Sequence, residues 1–300
     1  MSERRAGYIA LTGRPNVGKS TLLNYLVEAT VAITSPKPQT TRHVIRGVAT
    51  RGDNQFVFLD TPGLHRPNDL LGGVMMRNLN NVIADADVII LMIDAGSEPV
   101  AADVERLLIK KIAAENTPAV LVLNKIDRRS KAGMLPLIEH YRQFDCFCAF
   151  VPLSAATGEG VDLLLDELAR LLPEQPWIFD EDNFTDQTER DLAAELIRRE
   201  LVYQLREELP YGMAVQVVSF AERESEGRRK ITIEADIVCD RQNHKGMVVG
   251  RKGERVKAVG TAARTSLETL FDADVTLFLQ VRVQSGWRDS EAKLKDLGFS

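Results

Sequence analysis

Three hundred residues, 44% of them hydrophobic and 27% charged, suffice for one large domain or two ordinary ones with a real core. A formal net charge of −5 excludes an overall basic field that would draw the chain to nucleic acid, so any such site must be a local patch. The three cysteines have no CxxC spacing and give no disulfide framework, and apolar runs such as Val88 to Ile93 are far too short to span a bilayer.

The polar start, Met1 to Gly7, shows no secretory pattern, and a cytoplasmic location is expected. From Tyr8 to about Leu172, short apolar strands alternate with amphipathic stretches of helical length. Tyr8 to Thr12 is a strand, followed by a Gly-rich turn and a helix from Lys19. Val44 to Thr50 and Gln55 to Asp60 read as a hairpin. Val88 to Asp94, Ala119 to Asn124 and Ala149 to Leu153 are buried strands, with helices near 72–84, 100–114, 132–142 and 160–172. This alternation predicts an α/β domain with a mixed, mostly parallel sheet and helices on both faces; the hairpin supplies one antiparallel strand. Pro173, Pro176 and the run Asp180-Glu181-Asp182 break the pattern. The first domain is therefore placed at 1–173 and a linker at 174–188.

Residues 189–300 follow a different pattern. Leu192, Leu196, Ile197 and Leu201 make a helical stripe, and Ala214 to Phe220 a strand. Ile231, Ile233, Ala235, Ile237 and Cys239 alternate as in a half-buried strand. Val256, Val259, Ala263, Leu267 and Leu270 return to helical spacing, and Val275 to Val283 alternate again. A short charged helix near 289–297 closes an α+β domain of order α-β-β-α-α-β.

The first turn reads Gly13-Arg14-Pro15-Asn16-Val17-Gly18-Lys19-Ser20, the phosphate-binding pattern G-x-x-x-x-G-K-[ST] between a strand and a helix. Its glycines let backbone N–H groups wrap phosphate oxygens, and the helix start, Lys19 to Thr21, adds a positive dipole end. Lys19 is expected on the β- and γ-phosphates and the Ser20 hydroxyl on Mg²⁺. Asn124-Lys125-Ile126-Asp127, at the end of an apolar strand, selects the base. Asp127 can accept from the N1–H and exocyclic amine of guanine; adenine offers neither and would leave a carboxylate unpaired.

Asp60-Thr61-Pro62-Gly63-Leu64 follows another apolar strand. Asp60 is expected to hold Mg²⁺ through a water, and Gly63 to offer its N–H to the γ-phosphate. Ser154-Ala155 is placed to support the guanine O6. In Pro38-Gln39-Thr40-Thr41-Arg42, one threonine is expected to complete the Mg²⁺ shell; Thr41 is favoured and Thr40 is the alternative. Lys19, Thr41, Asp60 and Gly63 are thus the catalytic candidates. Leu64 stands where Ras-like enzymes carry a water-orienting glutamine, so slow intrinsic hydrolysis of GTP to GDP is expected. Other groups, a bound cation or a partner would position the water; Asn16 is the candidate for holding K⁺ near the phosphates.

In the second domain, Val249-Gly250-Arg251-Lys252-Gly253 carries a GxxG loop of the kind that lets two helix termini approach a nucleic-acid backbone. Between Arg241 and Arg264 there are seven Lys/Arg and one acidic residue, Glu254. Lys245, Val249, Gly250, Arg251, Lys252, Gly253 and Lys257 are the RNA-binding candidates, with Val248, Val249 and Val256 as the floor of a groove for bases. The four histidines, His43, His65, His140 and His244, are scattered and read as non-ligands, although His244 is near enough to the loop to touch RNA. Trp177 and Trp287 read as packing anchors.

The ordered nucleotide motifs are similar to those of the translation-factor-related GTPases, and the Thr-Thr-Arg and Asp-Thr-Pro-Gly-Leu segments to their Era branch. The second domain resembles a type II KH domain. The resemblance runs from about residue 7 to 297 and implies a monomeric GTPase that binds small-subunit ribosomal RNA near its 3′ end and assists small-subunit assembly. It also implies peripheral contact with the inner face of the membrane. The rival reading is a signalling GTPase whose second domain binds a protein or membrane partner; an ATP-driven enzyme is disfavoured by Asn124 and Asp127.

Overall fold

The structure is a computed structural model and describes residues 4–34, 41–64, 66–97, 103–128, 131–205, 212–225 and 227–299. Two compact units are present: Met1–Pro67 with Met75–Asp186, and Asn68–Val74 with Gln187–Ser300.

The first unit is built on a six-stranded sheet of order β2-β3-β1-β4-β5-β6. Its strands are β1 (Arg5–Gly13), β2 (Ile45–Arg51), β3 (Asn54–Asp60), β4 (Val88–Asp94), β5 (Ala119–Asn124) and β6 (Phe147–Leu153). Every pairing is parallel except β2 with β3, the hairpin expected from the sequence. Side chains alternate across this sheet, so each strand feeds two cores. Ile9, Leu11, Phe56, Phe58, Ile90 and Val122 pack on one face with Leu22 and Leu26 of α1 (Lys19–Val27) and Leu164 and Leu168 of α5 (Val161–Leu171). On the other face, Ala10, Ile89, Leu91 and Leu121 meet α2 (Leu70–Asp85), α3 (Asp103–Ala114) and α4 (Lys131–Arg142) through Ile83, Ile109 and Leu137. Each fully buried Leu or Ile contributes about 1.5–3 kcal/mol. The two-sided core explains why these strands read as continuous apolar runs. It also lines up the carboxyl ends of β1, β3, β4, β5 and β6 at one edge.

The segment read as a linker is hydrogen-bonded along the first unit. The Gln55 side chain, itself buried, accepts from the Ile178 and Phe179 N–H groups at 2.8 and 2.9 Å. Val48 N–H donates to Phe184 O at 2.9 Å, and Trp177 Nε1 to Asp53 O at 3.1 Å. Residue composition marks a break in pattern there, but these groups find partners on β2, β3 and the turn between them.

The second unit is α6 (Glu189–Gln204), β7 (Met213–Ser225), β8 (Arg228–Cys239), α7 (Gln242–Val249), α8 (Glu254–Phe271), β9 (Asp274–Val283) and α9 (Glu291–Asp296). Its sheet has the order β7-β8-β9, antiparallel then parallel. Thr188 starts α6 through a capping box with Asp191. The alternating residues of β8, Ile231 to Cys239, are buried under Leu192, Leu196 and Ile197 of α6 and Val259, Ala263 and Leu267 of α8. Trp287 is fully buried and donates from Nε1 to Gly212 O at 3.3 Å, the packing role expected of it. Among the described residues no helix is long and apolar enough to cross a membrane, and no group of three or more His, Cys, Asp or Glu could hold a metal ion.

Candidate functional site

The loop from Gly13 to Ser20 turns sharply out of β1 into α1. Gly13, Asn16 and Gly18 all have positive φ, at 141°, 63° and 105°. A Cβ at Gly13 would strike the Met92 carbonyl, and one at Gly18 the Asn124 amide, so both positions require glycine for space as well as for conformation. Lys19 lies 6% exposed, with Nζ donating to the carbonyls of Gly13 and Arg14 at 3.2 Å each. Burial lowers its pKa, and the carboxylate of Asp60 partly offsets this.

Three oxygen-bearing side chains from three segments meet beside it. Ser20 Oγ donates to Asp60 Oδ2 at 2.6 Å and lies 3.0 Å from Thr41 Oγ1. Thr41 Oγ1 donates to the same Oδ2 at 3.3 Å. Asp60 is fully buried, and its Oδ1 has no hydrogen-bond partner. Burial raises its pKa, against the Lys19 charge and the two hydroxyl hydrogen bonds. A carboxylate with an unsatisfied buried oxygen, flanked by two hydroxyls, is a hard-oxygen donor set that suits Mg²⁺. Thr41 is thus brought to the cluster, while Thr40 and His65 lie outside the described residues.

Beyond Asp60, Thr61 Oγ1 donates to Leu11 O at 2.7 Å and Leu64 N–H to Gly13 O at 3.1 Å, which fastens this segment to the first loop. Gly63 packs against Pro15 so closely that a Cβ would lie 3.0 Å from the Pro15 Cα. Leu64 is buried and presents no polar side-chain atom.

The Asn124–Asp127 segment closes the site from β5. Asn124 Nδ2 donates to Val17 O at 2.7 Å, and Asn124 Oδ1 accepts from Ala155 N–H at 2.9 Å. One buried amide thereby ties the loop, β5 and the turn after β6 together. Lys125 has φ 68° and reaches Asn16 O at 2.7 Å. Asp127 Oδ1 accepts from Ser154 Oγ at 2.7 Å, which fixes one carboxylate oxygen. Sequence reasoning missed Asp94, at the end of β4, which pairs with Lys125 at 2.7 Å and caps the Gly96 N–H at 2.8 Å. Only the β4–β5 register, which sets Asp94 opposite Asn124, brings it to Lys125.

In the second unit the GxxG residues join α7 to α8. Gly250 has φ 73°, Lys252 51° and Gly253 80°. A Cβ at Gly250 would lie 2.8 Å from Arg255 Cγ and 3.1 Å from its backbone N, whereas Gly253 faces open space. Arg251, Lys252 and Lys257 are exposed; Lys245 and Val249 are partly buried. The expectation for Val248 fails: it is fully buried among Leu201, Ile237 and Val259, because the inward stripe of α7 points it into the core. A groove beside the loop is lined by Val256, Lys257, Gly260, Arg264, Leu277 and Leu279, so β9 and the first turn of α8 supply most of its apolar wall.

The family model described as a 50S ribosome-binding GTPase matches residues 8–125, and the KH domain model matches residues 208–288. The chain is 42% identical over 295 residues to the GTPase Era of Ruminiclostridium cellulolyticum, covering 98% of this chain and 97% of that one. It belongs to the Era family of GTPases. The GTPase Era of Pseudomonas putida is 40% identical over 297 residues, 98% of this chain and 96% of that one. Among solved structures, a point variant of Aquifex aeolicus Era bound to GDP and aluminium fluoride superposes with a TM-score of 0.93 at 36% identity, covering 99% of each chain. Era in complex with MgGDPNP and nucleotides 1506–1542 of 16S ribosomal RNA matches with the same score, identity and coverage. The family's two parts are therefore both present, a GTPase domain followed by a KH domain.

Proposed function

We propose that this chain hydrolyses GTP to GDP and phosphate, and that its nucleotide state controls binding of the KH domain to the 3′ end of small-subunit ribosomal RNA during subunit assembly. The observation that carries the first half is the convergence of Ser20, Thr41 and the unsatisfied Asp60 carboxylate beside the buried Lys19. The second half is supported by the exposed, basic GxxG loop and by the RNA-bound Era structure that the chain resembles along its length.

In this reading Lys19 leaves the Gly13 and Arg14 carbonyls for the β- and γ-phosphate oxygens. Ser20 and Thr41 hold Mg²⁺ directly, and Asp60 does so through a water. Bound there, Mg²⁺ neutralises charge that develops on the phosphate oxygens as the terminal phosphoryl group transfers. Gly63 N–H turns to the γ-phosphate, so loss of that group frees the Thr41 and Gly63 segments together. Asp127 takes the guanine N1–H and amine, pre-aligned by Ser154, and the backbone of the Ser154-Ala155 turn supports O6. Leu64 supplies no hydrogen bond to the attacking water, which makes hydrolysis slow without a further group. K⁺ held near Asn16 is one such group; a rate in K⁺ equal to that in Na⁺ removes it.

In the KH domain, Arg251, Lys252 and Lys257 pair with phosphates while bases enter the groove over Val256, Leu277 and Leu279. The protein acts as a cytoplasmic monomer, and any membrane contact is peripheral. The deciding experiment is fluorescence anisotropy of a 16S 3′-end oligonucleotide with the protein, in a non-hydrolysable GTP analogue and in GDP at fixed salt. Tighter, sequence-selective binding in the analogue is expected. Equal binding of a scrambled oligonucleotide in both states would remove the ribosomal RNA assignment and leave a protein partner as the reading.

A further inference from the structure

α3 buries a charge that none of the nucleotide motifs contains. Its inward stripe is Glu105, Leu108, Ile109 and Ile112, and Glu105 is only 2% exposed. Tyr141 of α4, 3% exposed, donates its hydroxyl to Glu105 Oε1 in a short hydrogen bond. The other oxygen, Oε2, lies 3.8 Å from Arg14 Nη1. Arg14 belongs to the phosphate loop, and its carbonyl accepts from Lys19 Nζ at 3.2 Å. A chain of contacts thus runs from α4 through α3 to the lysine of the nucleotide site. Burial raises the Glu105 pKa, opposed by the Tyr141 hydrogen bond and by the Arg14 and His140 charges. A leucine at this stripe position would pack without the desolvation cost of an ionised group, so stability gives no reason for the carboxylate.

We propose that Glu105, oriented by Tyr141, is a positioning residue for the phosphate loop. It acts through the Arg14 guanidinium, which it holds against α3. Fixing that side chain fixes the first turn of the loop, where the Arg14 carbonyl and the neighbouring backbone groups face Lys19. The inference rests on reading residues 13–20 as the phosphate-binding loop. Its effect is on nucleotide affinity, for GTP and GDP alike, since both carry the β-phosphate assigned to Lys19.

The test is a double-mutant cycle read by titration with a fluorescent GDP and with a non-hydrolysable GTP analogue, beside thermal unfolding of each nucleotide-free protein. Glu105→Gln and Arg14→Met are each expected to weaken binding roughly three- to tenfold, and the double variant to be no weaker than Arg14→Met alone, as coupled neighbours behave. Unfolding temperatures should not fall in Glu105→Gln. Wild-type affinity in Glu105→Gln, or losses that multiply in the double variant, would overturn the proposal. Should Glu105→Gln fail to fold, Tyr141→Phe, which removes only the orienting hydroxyl, takes its place in the cycle: weakened binding that does not multiply with Arg14→Met supports the proposal, and wild-type affinity or multiplying losses overturn it. A wild-type protein that binds no guanine nucleotide would instead overturn the loop reading, and this inference with it.

Discussion

Residues 13–20 and residues 250–253 are both glycine-bearing turns that lead into a helix, yet their chemistry is arranged in opposite ways. In the first, Lys19, Thr41, Asp60, Asn124 and Ser154 are buried, come from five separate segments and each hydrogen-bonds to another group of the site, while Asp60 keeps one oxygen unpaired. In the second, Arg251 and Lys252 are consecutive in sequence and exposed, and the apolar wall beside them is an open groove. The contrast teaches what each ligand demands. A small nucleotide is held by buried polar atoms whose unmade hydrogen bonds are costly, with the base-reading Asp127 open at the rim of the site. A polyanionic strand is held by cations that need only reach its phosphates, so position matters less than charge.

The sharpest way to break this comparison is at the base. Asp127→Asn should weaken GTP binding on the order of a thousandfold and restore binding of xanthosine triphosphate, measured by competition with a labelled nucleotide. RNA binding by the same variant, loaded with the xanthine analogue, should match wild type. A loss below tenfold would mean that the base is selected elsewhere.

Next in size is Gly250→Asp. The positive φ and the close Arg255 backbone exclude a side chain, and a carboxylate would repel phosphate. RNA affinity is expected to drop at least tenfold while GTP turnover stays within twofold of wild type. If turnover falls as far as RNA binding, the two regions are not separable.

A smaller effect sharpens the electrostatic half. Lys252→Ala should weaken all RNA sequences about equally, by roughly three- to tenfold, and reduce the slope of log affinity against log salt by about one. Base-selective loss would assign Lys252 to base reading instead.

The two regions also differ in how far sequence reveals them. The nucleotide residues are legible because phosphate and guanine chemistry fixes residue type and spacing, and the apolar strands fix where each motif sits. Asp94 escapes because its partner, Lys125, is brought beside it only by the β4–β5 register. Glu105 and Tyr141 look like an ordinary polar residue and an ordinary aromatic on two amphipathic helices. The clue is a charge at an inward stripe position, three residues before Leu108 and four before Ile109. For the KH groove, the GxxG loop is plain in the sequence, and of the three residues expected as its floor, Val248, Val249 and Val256, Val256 does line the groove, while the helical phase turns Val248 into the core. Leu277 and Leu279 read as core strand residues, and only the fold shows that they are left partly open beside α8.

The smallest expected effect is on stability. Glu105 has a folded-state pKa above its ordinary 4.5, so the stability it contributes is present below that pH and lost as pH rises through the folded value. The groups facing it are Arg14, Tyr141 and His140. Glu105→Gln should therefore unfold at a higher temperature than wild type at neutral pH, with the difference vanishing in acid, by calorimetry of the nucleotide-free protein. A variant that is less stable at neutral pH would make the carboxylate a structural element.

The most direct test of the contrast between the two sites is one salt series on the wild-type protein. Affinity for the 16S 3′-end oligonucleotide, in the GTP analogue, and affinity for GDP with Mg²⁺ would be measured together between about 50 and 200 mM salt. If the sites differ as described, RNA affinity falls by about two orders of magnitude or more, following counterion release from several phosphates, while GDP affinity changes by less than about threefold. A GDP affinity that falls in parallel with RNA, or an RNA affinity indifferent to salt, would be incompatible with a buried nucleotide site and an open, charge-held RNA site.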